Sequence, residues 1–336
     1  MAVKADFEKR LKGYPLKVSL ELGDECAGLL GESGCGKSMT LKCLAGIETP
    51  DRGMIEIDGR LVFHSAKRIN VPPRKRRVGY LFQSYALFPN MTVEKNIKSA
   101  MADKGESIAQ YIEKFRLQGL ERQVPATLSG GQKQRTALAR MLAAKPQVIL
   151  LDEPFSALDS SLRWEMEQEV MALLEGFRGT SIVVSHSRDE LFRLCGRVGV
   201  MGQGSLDAME EKHRLFENPE TGYAAALTGC KNISPARWLD DGNVFAEDWG
   251  IALAVAGPAP REVAFVGIRA HHLSFAKQAG ENVFPCRIVR RIENVFEDIY
   301  LAELGGKPLR LEVEKGLTGP KELVHIPRER IMLLRR

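Results

Sequence analysis

Residues 31–38, Gly-Glu-Ser-Gly-Cys-Gly-Lys-Ser, set glycines, a lysine and a hydroxyl at fixed offsets. The Gly-x4-Gly-Lys-Ser spacing is that of a phosphate-binding loop, here between an apolar strand-like run and a helical one. Glycines let backbone N–H groups wrap an anion, and the positive end of the next helix adds to the field. Lys37 supplies a charge for β and γ phosphates, and Ser38 a hydroxyl for Mg²⁺. Gly31, Glu32, Ser33, Gly34, Cys35, Gly36 and Met39 make up the rest of the expected nucleotide cradle. Residues 148–153, Val-Ile-Leu-Leu-Asp-Glu, read as a buried strand ending in two carboxylates. That end of a parallel strand faces the ligand crevice. Asp152 is expected at the water shell of Mg²⁺. Glu153 points differently and is expected to act as general base toward an attacking water, a role worth about 10²–10⁴-fold. Ser129, Gly130, Gly131 and Gln132 open another helix and form a second anion-binding N-terminus. One chain needs only one γ-phosphate cradle, so this second one is expected to serve ATP held by a partner chain.

The elements that must position these groups follow from periodicity. Leu16, Val18, Leu20 and Leu22 alternate as a half-buried strand does, after a turn near Lys12-Gly13. An apolar run at 27–30 leads into the phosphate loop, and a helix is predicted over 37–45, stopped by Gly46. Residues 54–57 and 61–63 flank Asp58-Gly59-Arg60, a hairpin signal. Residues 78–82, 147–151 and 182–185 read as further strands, 92–124 as helical and polar, and 129–144 as a strong helix. Strands alternating with helices predict a parallel α/β sheet. Near Thr228 the texture changes. Short alternating runs at 244–245, 251–255, 263–268, 286–292, 300–304, 309–313 and 331–334, punctuated by Gly, Pro and Asn, predict a small all-β barrel or sandwich. The expected domains are therefore 1–228 and 229–336.

Composition sets the bounds. The chain has 336 residues, a net charge of +5 and 44% hydrophobic residues, which fits a soluble globular protein of two domains. Its longest apolar runs fall far short of the roughly 18 residues a membrane span needs. The N-terminus lacks the apolar core of a signal peptide. A cytoplasmic protein is expected, serving a membrane only through another subunit. The basic residues Lys67-Arg68 and Arg74-Lys75-Arg76-Arg77 read as a solvated loop before a strand, with phosphate or nucleic-acid contact as the alternative. The six cysteines form no CxxC pair and read as reduced core residues.

Taken together, Gly31–Ser38, Leu128-Ser-Gly-Gly-Gln132 and Asp152-Glu153 resemble the ATPases of ATP-binding-cassette (ABC) transporters over residues 1 to about 228. The resemblance implies a P-loop cassette with a helical subdomain, with ATP and Mg²⁺ as cofactors. It implies that Gln83 is the Q-loop glutamine, touching Mg²⁺ and signalling to membrane subunits. Asp159, in Ser156-Ala-Leu-Asp, becomes the D-loop residue across the dimer interface, and His186 the switch histidine that senses the γ-phosphate. Gln83, Glu153 and His186 are then the catalytic set, and Ser38, Gln83 and Asp152 the metal set. Two departures stand out. The aromatic residue that usually stacks on adenine falls at Leu11, leaving either Tyr14 as its substitute or weaker stacking. Ser187 stands where an aspartate is common, with Asp189 nearby.

The C-terminal region is similar to the transport-associated OB (TOBE) domain of importer ATPases. Residues 267–273, Gly-Ile-Arg-Ala-His-His-Leu, lie close to its recurrent Gly-Ile-Arg-Pro-Glu-His segment. Arg269, His271 and His272 read as a structural turn, with an anion or metal site as the alternative. The implied protein is a homodimer at the cytoplasmic face of the cell membrane. It would work with integral permease subunits and, indirectly, a periplasmic or lipid-anchored substrate-binding protein, with no nucleic-acid partner. The 228–234 junction and Asp248-Trp-Gly-Ile251 point toward molybdate importers; sulfate, iron, polyamine and sugar importers share the plan. A DNA-repair cassette would need a long coiled coil between Gln83 and Ser129, and a translation-associated one a second phosphate loop.

Overall fold

Leu16, Val18, Leu20 and Leu22 point inward while Lys17, Ser19 and Glu21 face solvent, as a period of two requires. This strand, the second of the chain, pairs antiparallel with the first across a turn at residues 11–14. The strands are β1 (Val3–Arg10), β2 (Pro15–Leu22), β3 (Cys26–Gly31), β4 (Arg52–Ile57), β5 (Arg60–His64), β6 (Ile69–Asn70), β7 (Val78–Leu81), β8 (Val148–Asp152), β9 (Thr180–Ser185), β10 (Arg197–Gly202) and β11 (Ser205–Glu211). The helices are α1 (Lys37–Ala45), α2 (Val93–Lys98), α3 (Ala109–Lys114), α4 (Gly130–Ala143), α5 (Ser160–Glu175) and α6 (Arg188–Leu194). The computed structural model describes residues 3–103, 105–240, 242–316 and 321–336. It divides into two units, Met1–Lys212 and His213–Arg336. Among the described residues, no helix is long and apolar enough to cross a membrane.

In the first unit an 11-stranded sheet runs β6-β5-β4-β1-β2-β11-β10-β3-β9-β8-β7. The predicted parallel sheet is correct for one half: β10, β3, β9, β8 and β7 are parallel neighbours. The other half, β6 through β2, is antiparallel. Hairpin turns at 11–14 and 58–59 are too short for the crossover that parallel strands need, so those strands fold back on each other. All five residues of β8 are buried, which fits a strand covered on both faces.

Two further expectations are corrected. The stretch 92–124 carries two helices of only 6 residues each, α2 and α3, and otherwise turns and irregular chain. Segments this short are marginal alone. Buried Asn96 holds this one together: its amide donates to the carbonyls of Phe88, Met91 and Thr92. Arg76 is not solvated. It is 2% exposed, and its guanidinium donates to the Cys43 and Leu44 carbonyls at the end of α1, both at 2.9 Å, and to Val71 at 2.7 Å. Gly46, at φ 78°, allows this approach, because a Cβ there would lie 2.5 Å from Arg76 Nε.

In the second unit, one five-stranded sheet is ordered Ile251–Ala254, Asn243–Ala246, Asn232–Asp240, Phe265–Ile268, Met332–Leu334. Two three-stranded sheets accompany it, one built on Val283–Pro285 and Leu323–His325, the other on Arg287–Glu293, Glu297–Leu304 and Lys307–Glu314. All three share a core that includes Val244, Trp249, Leu253, Val266, Tyr300, Leu309, Leu311, Val324 and Ile326. Buried Asn232 joins two of these sheets: its amide donates to the Ile268 and Arg310 carbonyls and accepts from the Arg310 N–H. The strand Asn232–Asp240 does not show in the sequence pattern because Pro235 interrupts it.

Candidate functional site

The phosphate loop leaves β3 and turns into α1. Gly34 and Gly36 have φ of 82° and 112°, and a Cβ at Gly36 would meet Leu16 Cδ1 at 2.8 Å. The conformation and the space both demand glycine there. Gly36 is the N-cap of α1 and makes no side-chain cap, so the first-turn N–H groups keep an open approach. Lys37 is buried, and its ammonium donates to the carbonyls of Gly31 at 2.7 Å and Glu32 at 2.8 Å. Glu32, Ser33 and Gly34 form an exposed rim. Cys35 is buried in the core and Met39 packs against it. These two residues can serve a ligand through their backbone, not their side chains.

The sheet order carries two strand ends to this loop. Asp152 ends β8 and is buried. Its Oδ1 accepts from Ser38 Oγ at 2.7 Å and its Oδ2 from Tyr80 Oη at 2.8 Å. Burial and the Asp152 charge push the Tyr80 phenol well above its ordinary value, so it stays a donor. Tyr80 is a residue that sequence reasoning missed; its place one residue before the end of β7, beside β8, was the available signal. Glu153 has φ of 46°, a left-handed backbone that a glutamate rarely adopts. Its N–H donates to the Val184 carbonyl at 2.9 Å, which fixes it beside the end of β9. Gln83 Nε2 donates to Glu153 Oε2 at 3.2 Å, and His186 Nδ1 lies 3.5 Å from Glu153 Oε1. The structure thus brings the three expected catalytic residues together.

A second missed residue supports His186 from below. Buried Glu190 accepts from Ser185 Oγ at 2.6 Å, Ser185 Oγ accepts from the Ser187 N–H at 2.9 Å, and Ser187 Oγ caps the Glu190 N–H at 3.3 Å. Both neighbours of His186 are therefore anchored. Burial pushes the Glu190 carboxyl above its ordinary value. Ser187, the departure from the family pattern, serves as the N-cap of α6.

Ser129 is exposed and forms a reciprocal capping box with Gln132: Ser129 Oγ accepts from the Gln132 N–H at 3.3 Å, and Gln132 Oε1 from the Ser129 N–H at 2.9 Å. A Cβ on Gly131 would come within 3.0 Å of Leu162, and one on Gly130 within 3.3 Å of Leu158. These glycines let the start of α4 pack against the segment that carries Asp159. Asp159 in turn caps α5, accepting from the Leu162 N–H at 2.9 Å, and that bond holds its carboxyl below the usual range. Among the described residues, no hydrogen bond joins 129–132 to the phosphate loop. Leu11 packs against the core. The Tyr14 hydroxyl donates to the Gly34 carbonyl, which sets its ring beside the phosphate loop.

The Ser38 hydroxyl, the Asp152 carboxylate and the Gln83 amide oxygen are hard donors that suit Mg²⁺, an ion held by few protein ligands plus substrate phosphates. The other candidate ion site is engaged by the chain itself. Arg269 donates to the carbonyls of Thr228 and Phe216, so its charge is used to fix the chain. Among the described residues, no group of three or more His, Cys, Asp or Glu is arranged to hold a metal.

Comparison with known proteins gives the family. The family described as ABC transporter matches residues 15–156. A sulfate/thiosulfate import ATP-binding protein, CysA of Brucella melitensis, is 32% identical over 323 residues, 93% of this chain and 87% of that protein. This chain belongs to the ABC transporter family. Its likeness is to the ATP-binding proteins of importers within that family. A putrescine transport ATP-binding protein, PotG of Escherichia coli, is 40% identical over 216 residues, 62% of this chain; the chain spans 56% of that relative's length. The dimeric structure of MJ0796, a bacterial ABC transporter cassette, aligns with a TM-score of 0.53 and 26% identity, covering 63% of this chain and 99% of the cassette. The fold is that of the ABC cassette, an α/β P-loop NTPase, followed by all-β sheets of an OB-like kind.

Proposed function

We propose that this chain is the ATPase subunit of an ABC importer, working as a head-to-tail homodimer on permease subunits at the cytoplasmic face of the membrane. The observation that carries this is the convergence of Gln83, Glu153 and His186 beside the Ser38–Asp152 pair. In this reading the phosphate loop and Lys37 bind the ATP phosphates, with Gly31, Gly34 and Gly36 allowing their close approach. Ser38, Gln83 and Asp152 hold Mg²⁺, which when bound neutralises phosphate charge. Glu153 accepts the proton of the attacking water. Gln83 and His186 hold the Glu153 carboxylate from either side. Ser129, Gly130, Gly131, Gln132 and Asp159 face the ATP of the second copy, and closure of the dimer completes both sites. The ATP-binding domain is 1–228 and the TOBE-like domain 229–336.

The transported substrate is proposed to be an oxyanion, molybdate first. The junction around 228–234 and the segment 248–251 support it, and the sulfate/thiosulfate name of the Brucella relative supports the oxyanion class. A polyamine importer is the second reading, favoured by the putrescine name of the 40% identical relative. Uptake of radiolabelled molybdate, sulfate and putrescine by cells carrying or lacking this chain and its permease separates them. Uptake of putrescine alone would overturn the oxyanion assignment.

A further inference from the structure

Cys26 and Cys195 lie 169 residues apart in the chain, yet their sulfurs are 3.7 Å apart. Cys26 is the first residue of β3, the strand that ends in the phosphate loop. Cys195 is the C-cap of α6, the helix that starts two residues after His186. The surrounding backbone is tied down: the Gly196 N–H donates to the Cys26 carbonyl at 2.9 Å, and the Cys195 N–H to the Leu191 carbonyl at 3.0 Å. Gly28 leaves the space for the second sulfur, since a Cβ there would stand 3.1 Å from Cys195 Sγ. Cys26 is partly exposed and Cys195 is buried. Other thiols meet different groups. Cys230 faces the carbonyls of Asn232 and Ile268, and Cys286 that of Lys321.

We propose that Cys26 and Cys195 are a dithiol modification site, oxidised reversibly to a disulfide by a low-molecular-weight disulfide such as glutathione disulfide. The reaction is two exchanges. The Cys26 thiol, which has access to solvent, gives up its proton and attacks the small disulfide. An S–S bond forms on Cys26, and the first small thiolate leaves and takes up a proton. The Cys195 thiol then gives up its proton and attacks the Cys26 sulfur. The protein disulfide forms, and the second small thiolate leaves and is protonated. Two protein thiols lose two electrons in total, and one small disulfide becomes two thiols. A disulfide needs S–S contact near 2.0 Å, so the sulfurs must approach by roughly 1.7 Å, which is within reach of side-chain rotation. Burial raises the cost of ionising Cys195, but the Cys26 sulfur lies 3.7 Å from it, so the second exchange is intramolecular and the mixed disulfide is short-lived. The product ties the strand before the phosphate loop to the helix after His186.

The test treats the full-length protein with mixtures of reduced and oxidised glutathione, quenches with acid, and maps proteolytic peptides by mass spectrometry. The expected result is one linked peptide pair containing Cys26 and Cys195. The titratable thiols of the unfolded chain fall from six to four, and dithiothreitol restores all of them. In Cys195→Ser the reaction stops at a mixed disulfide on Cys26, and in Cys26→Ser no linked pair forms. Because the wild-type map decides alone, poor folding of either variant does not rescue the proposal. It is overturned if wild-type Cys26 accumulates the mixed disulfide while Cys195 stays reduced, or if both thiols remain free in fully oxidised buffer.

Discussion

Glu153 combines a left-handed backbone, a hydrogen bond from Gln83 and His186 at 3.5 Å, so its carboxylate is aimed rather than free. Strain of this kind persists where the surrounding structure over-determines it. Glu153→Gln keeps the shape but cannot take a proton. ATP turnover should fall by about 10²–10⁴-fold while nucleotide binding persists; single-turnover hydrolysis and equilibrium binding measure the two. Near-normal turnover would remove Glu153 as the base. Glu190 offers a second test. Its carboxyl is pushed up by burial, so its contribution to stability is fully present below the unfolded-state value, about 4.3, and is lost as pH rises through the folded value. Glu190→Gln keeps an acceptor for Ser185 and removes that loss. Its urea midpoint should therefore improve relative to wild type as pH rises from 4 to 7; a constant difference would contradict this.

At the scale of elements, the two ends of α1 are treated differently. Its N-terminus is left open at Gly36, and its C-terminal carbonyls are bonded by the Arg76 guanidinium. A cation at that end suits the helix dipole. Burial pulls the Arg76 guanidinium down to about 10, so it stays charged at neutral pH. Arg76→Ala would leave the carbonyls of Val71, Cys43 and Leu44 without this donor. A loss of at least about 3 kcal/mol is expected in denaturant melts. A loss under 1 kcal/mol would mean that water replaces the guanidinium. At α4 the capping box is worth about 1 kcal/mol, so Ser129→Ala should cost that much in stability.

At the scale of the whole molecule, the proposed trans site and the β unit make separate predictions. Ser129→Arg should block ATP-driven dimerisation and leave nucleotide binding by the monomer intact. Lys37→Ala should weaken nucleotide binding itself. Mixing the two variants should give heterodimers with one intact and one doubly damaged site, detectable by light scattering and by recovery of partial turnover. Failure of isolated Ser129→Arg to bind ATP would overturn the trans assignment. In the second unit, His272 is pushed down to about 4, by burial first and then by His271, Arg330 and Arg269. A base depressed in the folded state contributes stability above its unfolded value, about 6.5, and loses it as pH falls toward 4. His272→Asn should flatten that acid loss in thermal melts; an unchanged pH profile would exclude His272 as its source.

The local devices are set by the sequence. The helix over 37–45 ends at Gly46 as read, β2 alternates as read, and Ser129 with Gln132 forms the cap that their spacing allows. Each depends on residues a few positions apart, where period, turn chemistry and capping act directly. The joining of those devices was decided by tertiary structure. Ser38 meets Asp152 across 114 residues, and Tyr80 meets it across 72. Those meetings follow from the β3-β9-β8-β7 order, and strand order leaves no trace in the period of any one strand. The hairpins at 11–14 and 58–59 were legible in their turns, but the pairing of β1 with β4, strands distant in the chain, was hidden for the same reason. That reason also hid the burial of Arg76, whose partners at Cys43 and Leu44 lie more than 30 residues away. Glu190 and Tyr80 were missed for a related cause: a buried carboxylate or phenol becomes informative only when the group it holds is known.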